Sequence, residues 1–275
     1  LENEFLDWLE DDNFFCNTLV DRIVPGYPKT KEAELQANLG YKDELMVEAE
    51  QFHLLVIQGA TAVKEEFPAD KAGLNVIFTD DIKPYKVRKV RILNGAHTCL
   101  VPVGYLCGLD YVRESVEDDL VGKFLLQTIF EEICPTLDLP KAELESFAND
   151  VLDRFRNPYL KHALLSISLN SVSKFKARVL PSLLEYVKRK GEIPQRLSFS
   201  LAALIQFYKG ERNGQTIPLK DDATVLQFFK IIPNETRQVI LSFNFYLRFA
   251  YRCSANSSVY RNHRPKCYPA RLEHL

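Results

Sequence analysis

Three polar residues between positions 89 and 97 have the types and the spacing that proton transfer requires. In the stretch KVRILNGAH they are Lys89, Asn94 and His97. On an ideal α-helix these positions project at roughly 0°, 140° and 80°, so all three lie on one side of the helix. Lys89 and His97 are separated by about 12 Å along the axis. Because a lysine stem bridges part of that distance, a small hydroxylated carbon would fit between the two side chains.

Each of the three side chains suits one task at such a carbon. A desolvated lysine has a lowered pKa, because burial disfavours its charged form, and it can then act as a general base. An asparagine amide can stabilise an oxygen on which charge develops, and a histidine can orient the neighbouring hydroxyl. The basic run KPYKVRKVR equally fits a solvated helix face, and a histidine between Ala96 and Thr98 equally fits a structural role. Both interpretations stay open at this level.

The elements that would position these residues change character along the chain. The first eighty residues predict an α+β segment, with strands spaced too irregularly for a repeated βαβ unit. Its predicted helices cover residues 1–12 and a charged stretch that ends near Leu39, and its predicted strands cover 18–24, 52–59 and 74–80. Beyond Lys83, apolar residues recur at intervals of three and four, which predicts helices. These helices run from Pro84 to Gly108, with a kink or break at Pro102, and then over 120–133, 141–155, 173–190 and 196–210.

The predicted fold is therefore mainly α. A short α+β segment (residues 1–82) precedes an all-α substrate domain (residues 83–230), and an atypical basic tail follows (residues 231–275). The 275 residues are 46% apolar and 26% charged, which excludes a wholly disordered chain. No apolar run approaches the roughly 18–20 residues of a membrane span, so no membrane partner is predicted. The six scattered cysteines form no C-x-x-C pair, which indicates a reducing compartment and a cytoplasmic protein.

Charge is distributed unevenly between the two ends of the chain. Residues 231–275 carry seven basic and two acidic residues, a balance of +5, which leaves 28 basic and 35 acidic residues, a balance of −7, in residues 1–230. An acidic body does not attract nucleic acid, so no nucleic-acid partner is predicted for it. The abrupt loss of periodicity in the tail suggests a frameshifted or foreign end. An alternative of another class is a non-catalytic helical module whose basic tail binds nucleic acid or an acidic partner.

Several multi-residue words, in a fixed order, make the chain similar to the mannitol dehydrogenase family. They are LVDRIVPG at 19–26, FTDDIKPYK at 78–86, KVRILNGAH at 89–97, RFRNPYLKH at 154–162 and SLNSVSKFKARVLP at 168–181. The resemblance extends from about Phe5 to Lys230. It implies a long-chain polyol or sugar-acid dehydrogenase that uses NAD and no metal. The reaction implied is reversible hydride transfer between the nicotinamide and the keto carbon of a sugar acid.

The resemblance also implies a multi-helical C-terminal dehydrogenase domain whose Rossmann domain lies upstream and is absent from this chain. Two features agree with that expectation. The chain begins at Leu1 with Met46 as its only methionine, which suggests a fragment of a longer product. It also contains no G-x-G-x-x-G and no P-loop, so no phosphate cradle is visible. The sequence predicts no particular oligomeric state.

Site residues follow from the matched words. Lys89 would be the catalytic acid and base, Asn94 part of the oxyanion-binding arrangement, and His97 the substrate-orienting histidine. Asp21 matches the aspartate of the V-D-R-I segment, near cofactor and substrate, although it equally fits an ion pair that closes a strand. Lys174 matches a second lysine that contacts substrate in relatives, although it equally fits an exposed charge at a helix start.

The sequence departs from the polyol enzymes at one position that bears on substrate choice. Ser166 stands where polyol-specific relatives carry an arginine, so the substrate contacts must differ. Asn157, Lys161, His162 and Asn170 are the nearby polar candidates for holding the carboxylate and hydroxyls of a sugar acid. A cation such as Lys161 suits the carboxylate. Each of these residues also fits a surface or capping role.

Overall fold

The computed structural model describes residues 2–29, 31–59 and 61–232, which form two compact units. The first unit is Leu1–Lys89 and the second begins at Val90. The prediction of a foreign basic tail falls almost wholly outside the described residues and stays a prediction.

The first unit contains a three-stranded sheet in the order β1-β2-β3. Its strands are β1 (Asn17–Asp21), β2 (Leu54–Gln58) and β3 (Val76–Thr79), and its helices are α1 (Asn3–Asp11), α2 (Glu32–Leu39), α3 (Thr61–Glu66) and α4 (Lys83–Arg88). β1 is antiparallel to β2, whereas β2 and β3 are parallel and joined through α3. β2, α3 and β3 therefore form one βαβ unit, because two parallel strands cannot be joined by a tight turn and need a crossover connection.

β1 is shorter than the sequence predicts, and the cause is a buried carboxylate. Leu19 and Asp21 of this strand are buried, while Val20 between them is exposed, which is the alternation of a strand with one covered face. The predicted strand continues to residue 24. In the structure the backbone N–H of Ile23 donates to the Glu50 carboxylate at 2.6 Å, so the backbone leaves the sheet ladder after Asp21.

The second unit is helical apart from one small hairpin in its described part. Its helices are α5 (Gly95–Leu106), α6 (Val112–Glu117), α7 (Val121–Gln127), α8 (Lys141–Phe155), α9 (Leu164–Ile167), α10 (Ser171–Arg178), α11 (Leu180–Lys190), α12 (Gln195–Phe207) and α13 (Ala223–Ile231). π-helical segments cover Lys89–Asn94 and Thr128–Ile133, and a 3₁₀ turn covers Cys134–Thr136. The hairpin strands are β4 (Glu211–Arg212) and β5 (Gln215–Thr216). The mainly helical prediction is confirmed.

Helix α5 lies at the centre of the second unit. Every residue from Gly95 to Tyr105 is buried, and α6, α7, α9, α10 and α12 all pack against this helix. A helix that is apolar on all sides belongs in such a core. α5 runs through Pro102 without ending there, so of the predicted kink or break the break does not occur, and the kink stays a prediction. Packing from every side stabilises the helix despite the missing proline N–H, because tertiary contacts supply most helical stability.

The predicted helix boundaries hold where capping signals are local. The helix over 141–155 is confirmed as α8, and Gly191 ends α11 with a φ of 71°. The predicted helix over 173–190 is instead two helices, α10 and α11, because Pro181 in the first turn of α11 favours a new start. The predicted α-helix over residues 89–94 is a π-helical segment.

The N-terminus of α12 is capped by a buried carboxylate from a distant element. Glu132 is 3% exposed and accepts hydrogen bonds from the backbone N–H groups of Arg196 at 2.9 Å and Leu197 at 2.8 Å. The Arg196 guanidinium also donates to it at 3.2 Å. Burial raises the pKa of Glu132, and these donors act in the opposite direction. The carboxylate therefore ties the second π-helical segment to the start of α12.

We expect Glu132→Ala to lower the free energy of unfolding by about 2–4 kcal/mol, because it leaves buried N–H groups and a guanidinium without their acceptor. The matched control is Glu131→Ala. Glu131 is 53% exposed and pairs with the same Arg196 at 2.9 Å, so its loss should lower that free energy by less than about 1 kcal/mol. Urea unfolding measures both values, and equal losses would contradict the capping role.

Gly122 allows α7 to approach the end of α6 at backbone contact. A Cβ at this position would lie 2.4 Å from the carbonyl oxygen of Val116. We expect Gly122→Ala to lower the free energy of unfolding by about 1–3 kcal/mol, because the backbone must shift to relieve the overlap. The neighbouring exposed Lys123→Ala should change it by less than about 0.5 kcal/mol. Thermal unfolding of both variants tests this, and unchanged stability of the alanine variant at 122 would refute the close approach.

Candidate active site

His97 is held between two rings in the second unit. It lies on the buried helix α5 and is 4% exposed. The Phe155 ring, at the end of α8, stacks on it with centroids 4.0 Å apart and planes 16° apart. The His162 ring meets it edge-on, with centroids 5.2 Å apart and planes 84° apart. Two aromatic contacts on different elements therefore restrict the orientation of the His97 imidazole.

His162 presents an uncharged ring to His97. It lies just before α9, and its backbone carbonyl accepts a hydrogen bond from the N–H of Val112 at 3.0 Å. Burial lowers the pKa of His162 to about 4. At neutral pH its imidazole is therefore neutral, with one nitrogen as donor and the other as acceptor. The sequence proposed this residue only as a contact for substrate, and its neighbour in the fold is His97.

Asn94 and Lys89 are the two ends of the first π-helical segment. Asn94 is half-buried, and its backbone carbonyl accepts a hydrogen bond from the Thr98 hydroxyl at 2.8 Å. Lys89 is half-buried and is the last residue of the first unit, whereas Asn94 and His97 belong to the second. A π-helix pairs residues i and i+5 and turns less per residue than an α-helix, so the angles expected from α geometry do not carry over. The grouping of the three residues stays a prediction.

Lys174 lies on α10, where two cations are half-buried one turn apart. Its ammonium donates to the backbone carbonyl of Ile167 at 2.8 Å, at the end of α9. Burial lowers the pKa of Lys174, the charge of Arg178 lowers it further, and Asp221 opposes both. Burial also lowers the pKa of Arg178. The sequence prediction included Lys174 but missed Arg178, although the spacing of four residues in SKFKAR places both on one helix face.

The remaining polar candidates lie at turns and at the surface. The Asn157 side chain accepts a hydrogen bond from the N–H of Tyr159 at 2.9 Å, and Lys161 is exposed. Asn170 precedes α10 with a φ of 53°, and its N–H donates to the carbonyl of Lys220 at 3.0 Å. These contacts are the turn and cap roles that asparagine often takes. Binding roles for these three residues stay predictions.

Asp21 lies in the first unit, at the end of β1. It is buried and pairs in the ladder with Leu54. The neighbouring Arg22 side chain donates through Nε to the carbonyl of Glu50 at 2.9 Å. Its role near cofactor and substrate stays a prediction.

The turn between β2 and α3 has the order of elements found in phosphate-binding turns. A strand, a glycine and a helix follow one another here, as in a phosphate-binding turn. A Cβ at Gly59 would lie 2.9 Å from the Cys16 sulfur and 3.3 Å from Val63. Cys16 and Val63 therefore pack closely against Gly59 in this turn.

Metal-ligand clusters and membrane-spanning helices are both absent from the part of the chain that the structure describes. Among residues 2–29, 31–59 and 61–232, no three His, Cys, Asp or Glu side chains come together as a metal site would require. In the same part of the chain, no helix combines the length and the apolarity needed to cross a bilayer.

Comparisons with known proteins place the chain in a family. The model of the mannitol dehydrogenase C-terminal domain matches residues 81–242, and that of the mannitol dehydrogenase Rossmann domain matches residues 1–71. The chain belongs to the mannitol dehydrogenase family. Because residues 1–71 match the Rossmann model, the expectation that this domain is absent from the chain is not confirmed.

Several curated relatives are altronate oxidoreductases. The chain is 56% identical over 230 residues to an altronate oxidoreductase of Yersinia enterocolitica. This alignment covers 84% of this chain and 48% of the relative. It is 57% identical over 233 residues to the altronate oxidoreductase of Pectobacterium carotovorum, and the alignment covers 83% of this chain and 48% of the relative. The Escherichia coli protein of the same name is 53% identical over 241 residues, covering 88% and 50%. The chain thus spans about half the length of these relatives.

Solved structures share the fold. A ternary complex of Pseudomonas fluorescens mannitol 2-dehydrogenase with NAD and D-mannitol aligns with a TM-score of 0.70 at 24% identity, over 93% of this chain and 54% of that one. A substrate-free D-sorbitol dehydrogenase aligns with a TM-score of 0.68 at 24% identity, over 88% and 48%. At this identity the likeness concerns the fold alone.

The burial of His162 predicts a pH-dependent stability. Its pKa is about 6.5 in an unfolded chain and about 4 in the fold, so between these values the unfolded chain binds a proton that the folded chain does not. The free energy of unfolding should therefore fall as the pH falls through this window, by about 3 kcal/mol in total from this residue. His162→Gln and His162→Phe should both flatten the dependence. Denaturant unfolding from pH 4 to pH 7 measures it, and wild-type slopes in both variants would exclude this residue as the cause.

Proposed function

We propose that this chain is part of an NAD-dependent tagaturonate reductase, also called altronate oxidoreductase. The reaction is the reversible transfer of hydride between the nicotinamide and the keto carbon of D-tagaturonate, which gives D-altronate. The observation that carries the proposal is 53–57% identity to altronate oxidoreductases over at least 230 residues that include Lys89, Asn94 and His97. NAD, when bound, supplies or accepts the hydride.

The residues of this chain handle the proton and the substrate oxygens. Lys89 donates a proton from its ammonium to the keto oxygen as that oxygen gains charge, and it takes the proton back when altronate is oxidised. The Asn94 amide donates a hydrogen bond to the same oxygen.

His97 orients the substrate. Its ring is fixed between Phe155 and His162, so its polar edge points in one direction and can position the hydroxyl beside the reacting carbon. Pre-orientation of this kind lowers the entropy lost in reaching the reactive geometry. We place Asp21 near cofactor and substrate, and Asn157, Lys161, His162, Asn170 and Lys174 among the candidate contacts to the sugar acid.

Two alternatives are kept. The sibling activities, fructuronate reductase and mannitol dehydrogenase, would need the same proton chemistry and differ in substrate contacts. Ser166, in place of an arginine of the polyol enzymes, favours a sugar acid. A non-catalytic interaction module would instead predict salt-sensitive binding through residues 231–275 and indifference to Lys89. A cytoplasmic location fits the free thiols Cys16, Cys99 and Cys134.

The test is oxidation of NADH by the complete encoded protein with tagaturonate, fructuronate and fructose in parallel. We expect the highest kcat/KM for tagaturonate. Lys89→Met should lower kcat by about 10²- to 10⁴-fold, the usual contribution of a general acid or base. Lys86→Met is the matched control, because Lys86 is exposed on the same helical stretch, and it should keep wild-type kcat.

Each outcome has a distinct meaning. A preference for fructuronate or fructose would keep the family and replace the substrate. Equal turnover by Lys89→Met and Lys86→Met would remove Lys89 from the chemistry. Absence of turnover on all three substrates, in soluble folded protein, would reject the reductase and favour the interaction module.

A further inference from the structure

Two like charges on α10 are half-buried side by side. Lys174 and Arg178 are four residues apart on one helix, a spacing at which side chains are neighbours and like charges repel. Each is desolvated enough to lower its pKa, and the charge of Arg178 acts on Lys174 directly. An exposed pair could avoid this repulsion by turning into solvent, but partial burial limits that freedom. The arrangement destabilises the free protein.

No carboxylate in the described part of the chain neutralises this pair. Among residues 2–29, 31–59 and 61–232, neither Lys174 nor Arg178 has an acidic side chain within ion-pair distance, and the hydrogen-bond acceptor of Lys174 is the carbonyl of Ile167. Asp221 is the acidic group that acts on Lys174 from further away. Its carboxylate already accepts hydrogen bonds from the N–H of Val172, the hydroxyl of Tyr208 and the N–H of Asp222.

The end of α10 that carries Arg178 lies next to the helix turn that contains Asn94 and His97. A Cβ at Gly95, which lies between those two residues, would be 3.2 Å from the carbonyl oxygen of Arg178. The end of α10 therefore touches the first turn of α5 at backbone distance. Lys174 reaches the last residue of α9, the helix that follows His162. The backbone of Arg178 thus lies beside the turn that carries Asn94 and His97, and Lys174 lies one helical turn before it on α10.

We propose that Arg178 binds the carboxylate of the sugar-acid substrate, beside the substrate contact proposed above for Lys174, and that Arg178 selects acids over polyols. The inference rests on the proposed function for the identity of the ligand. A guanidinium presents paired N–H donors that match the two oxygens of a carboxylate, and the ammonium adds a second charge. Partial burial strengthens both interactions, because water screens them less. Exposed Lys161, the carboxylate contact proposed from sequence, lacks this advantage.

Binding to the 275-residue chain tests the proposal without any hydride transfer. The probes are D-altronate and D-altritol, which differ at C1, where the acid carries a carboxylate and the polyol a CH₂OH group. Titration calorimetry or ligand-observed NMR gives the dissociation constant of each. The variants are Arg178→Met, Arg178→Lys, which keeps the charge but not the paired donors, and Lys176→Met, an exposed cation of the same helix.

We expect the wild type to bind altronate about 10- to 100-fold more tightly than altritol. Arg178→Met should remove most of this ratio and leave the altritol constant unchanged, Arg178→Lys should keep part of it, and Lys176→Met should keep all of it. Circular dichroism shows which variants fold; if Arg178→Met does not, Arg178→Lys carries the test. Equal binding of both probes by the wild type, binding of neither, or an unchanged ratio in the Arg178 variants would overturn the proposal.

The two proposals fail in different ways. A preference for altronate that depends on Arg178, together with a complete protein that does not turn over tagaturonate, would keep the carboxylate site and reject the reductase. Turnover of tagaturonate that depends on Lys89, with no preference for altronate over altritol in the 275-residue chain, would keep the reductase and reject the carboxylate site.

Discussion

Burial of helix α5 on all its faces is the constraint on which the second unit depends. Five helices pack against α5, and its glycines allow two of the closest approaches. A Cβ at Gly104 would lie 2.7 Å from the Ser115 hydroxyl, and one at Gly95 would lie 3.2 Å from a carbonyl of α10. Close packing on this helix brings Phe155 and His162 to His97 and the end of α10 to Gly95.

The same burial determines how each charge in the unit behaves. Where a carboxylate is buried, as Glu132 is, backbone N–H groups and a guanidinium compensate it within the fold. His162 loses its charge instead, because the neutral ring is less costly to bury. Lys174 and Arg178 follow neither course, since the two basic groups lie one turn apart and neither has an acidic side chain within ion-pair distance among the described residues. That difference is the physical reason to regard the pair as part of a binding site rather than of the scaffold.

Sequence reasoning succeeded where a structural signal is local and failed where it depends on packing. α8 begins after Pro140 and α11 ends at Gly191, as predicted, because capping involves only neighbouring residues. The β4–β5 hairpin was missed, although Asn213-Gly214, with φ values of 53° and 77°, is a strong turn signal. The π-helical segment that begins at Lys89 could not be predicted, because no i to i+5 pattern in side-chain type distinguishes it from an α-helix.

The sequence by itself determined the family and predicted Lys89, Asn94 and His97 as its polar set, because short contiguous motifs carry both and do not depend on tertiary contacts. Only the tertiary structure decided what surrounds His97. Phe155 and His162 lie more than fifty residues away along the chain, and their contacts arise when α8 and the start of α9 pack on α5. The spacing of Arg178 from Lys174 likewise did not show how much of the Arg178 side chain is exposed. Periodicity says which side chains share a helix face, whereas burial and charge depend on what packs against that face.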